Sequence, residues 1–141
     1  MIIEQLSIFL ENKSGRLTEV TDTLGDSNIN ISALSLAETA EFGILRLIVT
    51  DPGKAAKALR QRHFSVNLTR VVGIIIPDEP GSLARVLKIL SDEDISIEYM
   101  YAYAFADKAS VVIRTENIEQ TIETLQKHKI ELLRASDVYE I

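Results

Sequence analysis

"ENKSGRLTEVTDTLGDSNINI" runs over residues 11–31, and "PDEPGSLARVLKILSDEDISI" over residues 77–97. The two stretches share one plan: a glycine marks a turn, an apolar stripe at helical spacing follows, and a short polar stop precedes a β-branched strand. Sliding the sequence on itself by 66 residues lays Gly15 on Gly81, Leu17 on Leu83, Val20 on Val86 and Leu24 on Leu90. Asp26, Ile29 and Ile31 then fall on Asp92, Ile95 and Ile97, making seven identities without a gap. Further on, Leu59 falls on Leu125 and Phe64 on Ile130, after a two-residue slip that a loop can absorb. Two copies are too few for a solenoid. The repeat therefore predicts two related domains, residues 1–68 and 69–141.

Each copy reads alike outward from its glycine. An apolar run opens it, "IIEQLSIFL" at 2–10 and "VVGIIIP" at 71–77, and both are expected strands. The helical stripe is Leu17, Val20, Thr21 and Leu24 in the first copy and Leu83, Val86, Leu87 and Leu90 in the second. Pro80 suits the first turn of its helix, where a missing N–H costs nothing. Strands follow at "NISALSLA" and "SIEYMYAYAF", then at "ILRLIVT" (44–50) and "SVVIRT" (110–115). Asp51-Pro52 reads as an N-cap followed by proline at the first helical position. Ala55, Ala58 and Leu59 point inward from that helix, and Ile118, Ile122 and Leu125 from its counterpart. "FSVNL" and "IELLR" close the two units as short strands, with a few residues joining the first unit to the second. The order β-α-β-β-α-β is the ferredoxin-like motif, an α+β class: a four-stranded antiparallel sheet with both helices on one face. The other face needs a partner. The last segment, "SDVYEI" at 136–141, is expected to add an edge strand.

Composition narrows the function. Two units of about 70 residues sit near the lower limit for independent cores, and 46% hydrophobic residues can supply them. Fifteen Lys and Arg face 21 Asp and Glu, for a net charge of −6. Residues 1–70 carry 8 basic and 8 acidic side chains, residues 71–141 carry 7 and 13, so the second half holds the excess. Such a chain lacks the clustered cations from which nucleic-acid binding draws its affinity, and anionic lipid would repel it. No apolar run approaches the ~20 residues of a membrane helix, and the first residues lack the basic and apolar regions of a secretory signal. There is no cysteine, hence no disulfide and no thiolate metal site. A cytoplasmic protein is expected, bound to neither nucleic acid nor membrane.

The residues of catalysis are missing from the pattern. His63 and His128 read as polar surface residues near the ends of the second helices, and no cysteine pairs with them. No nucleophile elbow, phosphate loop or metal-binding helix is present. Asp92-Glu93-Asp94 lacks the alternating spacing of a calcium loop and reads as a solvated helix end. No catalytic residue, metal or cofactor is expected. The strand-to-helix turn is the better candidate, because a helix N-terminus has unsatisfied N–H groups and partial positive charge, and can hold a carboxylate. Glycine at 15 and 81 either makes that turn or removes a Cβ from the path of a ligand. Asn12 before the helix and Asn30 after it, read as close in space, could grip the carboxylate and ammonium of one small molecule. The second copy has Asp78 and Ser96 there, so two sites would not be equivalent. Tyr99, Tyr101, Tyr103 and Phe105 alternate along one strand and share a face; Met100, Ala102, Ala104 and Ala106 take the other.

"NKSGRLTEV" resembles the N-x-x-G-x-L signature that opens ACT domains, and "DEPGSLARV" resembles its commoner Pro-Gly form. "NINI" and "DISIEYMYAY" are similar to the ACT second strand, and the resemblance covers the chain as two tandem copies. It implies regulatory binding of a free amino acid at an interface between ACT units, between the turn of one and strand residues of its neighbour. Carried over by position, the first copy's ligand-binding residues are Asn12, Lys13, Ser14, Gly15, Arg16 and Leu17, with Asn30 and Ile31 on the strand. The second copy's are Asp78, Pro80, Gly81, Ser82, Leu83 and Ser96, and Tyr99 and Tyr101 stand near enough to line a pocket. Ser14 stands where proline is usual, and Asp78 and Ser96 depart from the family pattern. The resemblance implies a non-catalytic sensor with something to regulate, and a metabolic enzyme is the expected partner; a homodimer is expected, with pairing of the two copies within one chain as the alternative. The alternative is a regulatory or interaction subunit of an amino-acid biosynthetic enzyme that needs no ligand.

Overall fold

The computed structural model describes residues 2–11, 13–38, 41–105 and 107–139. The elements in order are β1 (Ile2–Glu11), α1 (Arg16–Asp26), β2 (Ile31–Glu38), β3 (Phe42–Val49), α2 (Pro52–Gln61), β4 (Ser65–Pro77), α3 (Ser82–Asp92), β5 (Ile97–Phe105), β6 (Lys108–Thr115), α4 (Ile118–Lys127), β7 (Glu131–Leu132) and α5 (Ala135–Tyr139). They make two compact ferredoxin-like units. The N-terminal unit holds residues 4–69 and 136–139; the C-terminal unit holds residues 2–3 and 70–135. Beside the expected boundary, then, two short terminal segments are exchanged. Packing explains the first: Ile2 lies against the core of the C-terminal unit.

In the N-terminal unit β3 lies between β2 and β1, and β1 between β3 and β4. Pairing is antiparallel, with Leu6 opposite Leu47 and Leu10 opposite Gly43 on β1, and Leu34 opposite Leu47 and Glu38 opposite Gly43 on β2. In the C-terminal unit β4 lies between β7 and β6, and β6 between β4 and β5. Each unit has its own core under the helices. Leu6, Ile8, Leu45 and Leu47 meet Val20, Leu24 and Leu59 in one; Val72, Ile74, Val111 and Ile113 meet Val86, Leu90 and Leu125 in the other.

Several expectations change. "FSVNL" and "VVGIIIP" are one strand, β4, because no turn residue punctuates the residues between them. "IELLR" shrinks to the two residues of β7, and the described part of "SDVYEI", residues 136–139, lies in the short helix α5 rather than an edge strand, Glu140 and Ile141 being outside the described residues. Pro80 lies in the turn before α3, since the left-handed Gly81 delays the helix until Ser82. On α1 the inward residues are Val20, Thr23 and Leu24; Thr21 faces out, its hydroxyl donating to the Thr18 carbonyl at 3.0 Å. Asp51 caps α2 as expected, accepting from the Lys54 N–H at 3.2 Å, with Pro52 at the first position.

All four long helices end alike. The second residue after each adopts a left-handed conformation: Asn28 (φ 58°), His63 (φ 68°), Asp94 (φ 60°) and Lys129 (φ 60°). The next residue then donates back into the last turn, Ile29 to Leu24, Phe64 to Leu59, Ile95 to Leu90 and Ile130 to Leu125, at 2.9–3.1 Å. This is the Schellman closure, with an apolar residue folded under the helix end. Asn and Asp tolerate the conformation; Lys does so at a cost of roughly 1–2 kcal/mol, of which glycine's chain entropy returns part. Lys129→Gly is therefore expected to stabilise the protein by about 0.5–1 kcal/mol, read as a higher urea midpoint at unchanged m-value.

Candidate functional site

The first turn begins where β1 ends at Glu11. Lys13 N–H donates to the Glu11 carbonyl at 2.7 Å and Arg16 N–H to the Lys13 carbonyl at 3.3 Å. Gly15 holds the bend at φ 89°, ψ −11°, so the backbone itself demands glycine. A Cβ added there would meet nothing within 4 Å, so the space above the turn is also open. α1 begins at Arg16 with no side chain capping it, which leaves the positive end of the helix facing that space. Two cations stand at the turn. The Lys13 ammonium pairs with Glu11 at 2.9 Å, and that bond holds the Glu11 carboxyl below the usual range. The Arg16 guanidinium pairs with Glu19 at 2.8 Å and lies over the Phe64 ring, 4.5 Å from its centroid. Its Nε is buried and has no hydrogen-bond partner among the described residues. Asn12 lies outside the described residues; Ser14 is exposed.

The second turn repeats the backbone without the charge. Gly81 sits at φ 88°, ψ −13°, again with nothing within 4 Å of an added Cβ, and α3 opens uncapped. Ser82 N–H donates to the Glu79 carbonyl at 3.2 Å, as Arg16 does to Lys13. In the repeat, however, Glu79 stands for Lys13, Ser82 for Arg16, Asp78 for Asn12 and Arg85 for Glu19. Both cations of the first turn are thus replaced, and the second copy's cation, Arg85, stands where the first copy has an acid.

Asn30 does not lie beside the first turn. α1 carries the chain back along the sheet, so the residues before and after it lie at opposite ends of the unit. Leu10, Gly43 and Glu38 are aligned across the sheet at the turn end, whereas Ile31 pairs with Val49 at the other. Asn30 is thus about 25 Å of strand away from Gly15. Its N–H donates to the Thr50 hydroxyl at 3.1 Å, and its carbonyl accepts from the Thr50 N–H at 3.1 Å. It borders a shallow cleft of about 280 Å³ with Gly25, Asn28, Ile29 and Thr50. Ser96 holds the matching place in the C-terminal unit, in a cleft of about 610 Å³ whose lining includes Asp94, Glu116, Asn117 and Glu119. The first of these clefts has amides and no carboxylate in its lining; the second has both.

What the structure does bring to the first turn is the far end of β2. A cleft of about 70 Å³ is bounded by Leu10, Glu11, Lys13, Arg16, Leu17, Leu36, Glu38 and Gly43. That is room for a carboxylate or an ammonium group rather than for a whole amino acid, given a water's share of roughly 30 Å³. Leu36 and Glu38 were not singled out in the sequence, although the strand order of a ferredoxin-like unit places them here. Leu17, Leu34 and Leu36 are large and exposed, Leu34 at 57%. They lie on α1 and on β2, which pairs with β3 and ends the unit's strand order. On β5, Tyr99, Tyr101 and Tyr103 pair with Arg114, Val112 and Ser110 and share the face away from the helices, while Met100 and Ala102 pair with core residues Ile113 and Val111. The tyrosine stripe is therefore real, but it belongs to the C-terminal unit and the β1–α1 turn to the N-terminal one. The Phe105 and Ala106 side chains lie outside the described residues.

Sequence comparison bears on the whole chain: residues 1–141 match the family described as ACT domain pair. The chain belongs to that family. The ACT domain pair is also similar to solved structures. It is 59% identical to protein BT0572 from Bacteroides thetaiotaomicron, with a TM-score of 0.96 over 100% of this chain and 98% of that one. It shares its fold with the regulatory subunit of aspartate kinase from Thermus thermophilus, at 14% identity and a TM-score of 0.64 over 89% of this chain and 93% of that one. The corresponding subunit from Thermus flavus gives 16% and 0.58 over 90% and 94%. No curated protein matches this chain. Among its described residues no helix is long and apolar enough to cross a membrane.

Proposed function

We propose that this ACT domain pair is a non-catalytic cytoplasmic sensor of a free amino acid, bound at the first turn and completed by a second copy of the chain. The observation that carries the reading is the half-built character of that turn. An uncapped helix start, an open left-handed glycine, Lys13, and Arg16 with an unpartnered Nε offer a carboxylate its contacts. The cleft is too small for the rest of an amino acid, and Asn30 is at the wrong end of its own unit to supply it.

A second chain removes the difficulty. If two β2 edges pair antiparallel about a two-fold axis between Leu34 and Ser35, Ile31 of one strand lies opposite Glu38 of the other. Asn30 of each chain then arrives beside the turn of its partner. The same pairing satisfies the outer backbone groups of β2 and covers Leu34, Leu36 and Leu17, and it is self-complementary, as a two-fold interface must be. A ligand spanning such a seam stabilises it by its differential affinity, which is how occupancy would be signalled to a partner enzyme. The fold shared with aspartate kinase regulatory subunits motivates that class of partner.

A thermal-shift screen of the common amino acids tests the reading. At a concentration 100 times Kd the ligand should stabilise the protein by about 2.7 kcal/mol, a shift of several degrees. Asn30→Ala should abolish most of that shift, and Gly81→Ala should leave it intact. Leu34→Asp should yield monomers by sedimentation. The reading fails if no amino acid shifts the wild type, or if Asn30→Ala responds as the wild type does.

A further inference from the structure

We infer that helix α5 is a releasable strap that sets the position of the first residues of β2, linking the end of the chain to the Asn30 end of the site. Residues 136–139 belong to the N-terminal unit although the C-terminal unit precedes them in sequence. The segment is held at both ends. Before α5, Leu133 N–H donates to the Gly73 carbonyl at 2.8 Å, within the C-terminal unit. Within α5, Val138 is 3% exposed, and the Tyr139 hydroxyl accepts from the Glu4 N–H at 3.1 Å. The third contact falls on β2. Its register slips between Ile31, opposite Val49, and Ala33, opposite Ile48, so Ser32 between them has no cross-strand partner. A bulge of this kind re-aims a side chain. Here the Ser32 hydroxyl reaches the Val138 carbonyl in a long contact of 3.5 Å. Burial also pushes the Tyr139 phenol up in pKa, consistent with a docked and neutral ring.

The hold is strong enough to order the segment and weak enough to let go. A helix of five residues has no stability of its own in water. Among the described residues its docking rests on one buried valine, one half-buried tyrosine and two hydrogen bonds to β1 and β2, the profile of a segment that opens locally before the rest of a protein unfolds. Asn30 is two residues from Ser32 and begins the same strand. Release of α5 therefore frees the bulge and loosens the place from which Asn30 is presented. The coupling to ligand rests on the proposed sensor function; the coupling to β2 does not.

The test compares the full chain with a chain ending at Arg134, with Val138→Asp and with Tyr139→Phe. Amide hydrogen exchange without ligand is the first readout. Residues 31–35 should exchange about tenfold faster in the truncated chain and in Val138→Asp, and less so in Tyr139→Phe. Protection of β6 and α3 in the C-terminal unit should be unchanged. Unaltered exchange at 31–35, or an equal rise throughout both units, overturns the strap. The second readout is the concentration of the stabilising amino acid needed for half-maximal thermal shift, which should rise at least fivefold on truncation. An unmoved value overturns the link to the site. Faster exchange at 31–35 in a protein whose wild type responds to no amino acid supports the strap while sinking the sensor.

Discussion

Leu24→Ala and Leu90→Ala are expected to be among the most damaging single truncations, each costing about 2–5 kcal/mol. The two leucines hold equivalent places in the repeat and are each 1% exposed. Leu24 belongs to the core that holds Leu6, Ile8 and Leu47, and Leu90 to the core that holds Val72, Ile74 and Ile113. Each also receives, on its own carbonyl, the hydrogen bond that closes its helix, from Ile29 or from Ile95 at 2.9 Å. Truncation leaves a cavity under one of the two apolar stripes that tie helix to sheet, in a small unit with few other core residues to fill it. Because each unit contains a terminal segment from the other end of the chain, both variants should lower one shared unfolding transition. Urea unfolding followed by circular dichroism and by tyrosine fluorescence checks this. Two separated transitions, with each variant moving only one of them, would show independent units.

Gly73→Ala is expected to be the most damaging addition of a single methyl group. A Cβ at this position would lie 2.9 Å from the Leu133 Cβ, 3.0 Å from its Cδ2 and 3.2 Å from the Ile3 Cδ1. A leucine Cβ cannot swing aside as a side-chain end can. It moves only with its backbone, and the Leu133 backbone is fixed by the 2.8 Å bond from its N–H to the Gly73 carbonyl. Overpacking of roughly 1–3 kcal/mol is therefore compounded by a strained or lost hydrogen bond of about 1 kcal/mol. Gly25→Ala is the control: nothing lies within 4 Å of its added Cβ, it sits in α1, and alanine should stabilise it by roughly 0.5–1 kcal/mol. Denaturant midpoints of the pair separate close approach from backbone freedom. Equal effects would refute the packing argument.

The repeat, the order of elements and the two cores were legible in the sequence because each follows from local periodicity. Leu59 and Leu125, or Val20 and Val86, face inward wherever a helix is laid on a sheet, and Asp51 caps its helix by contacts three residues away. The glycine turns were legible as turns; their left-handed φ gives the reason. The helix ends were less so, since Asn28, His63, Asp94 and Lys129 share a conformation but no side-chain chemistry.

The sequence alone settled that two α+β units of one family are joined in tandem, since spacing and side-chain type suffice for that. Tertiary structure decided the rest: that β4 runs unbroken, that residues 136–139 lie in a helix and belong to the first unit, and that Asn30 and Gly15 stand at opposite ends of it. These depend on the direction in which a helix carries the chain and on which surface a short segment can bury itself. Neither is written in the residues that make the contacts, because the free energies that choose between such arrangements belong to pairs of segments far apart in sequence.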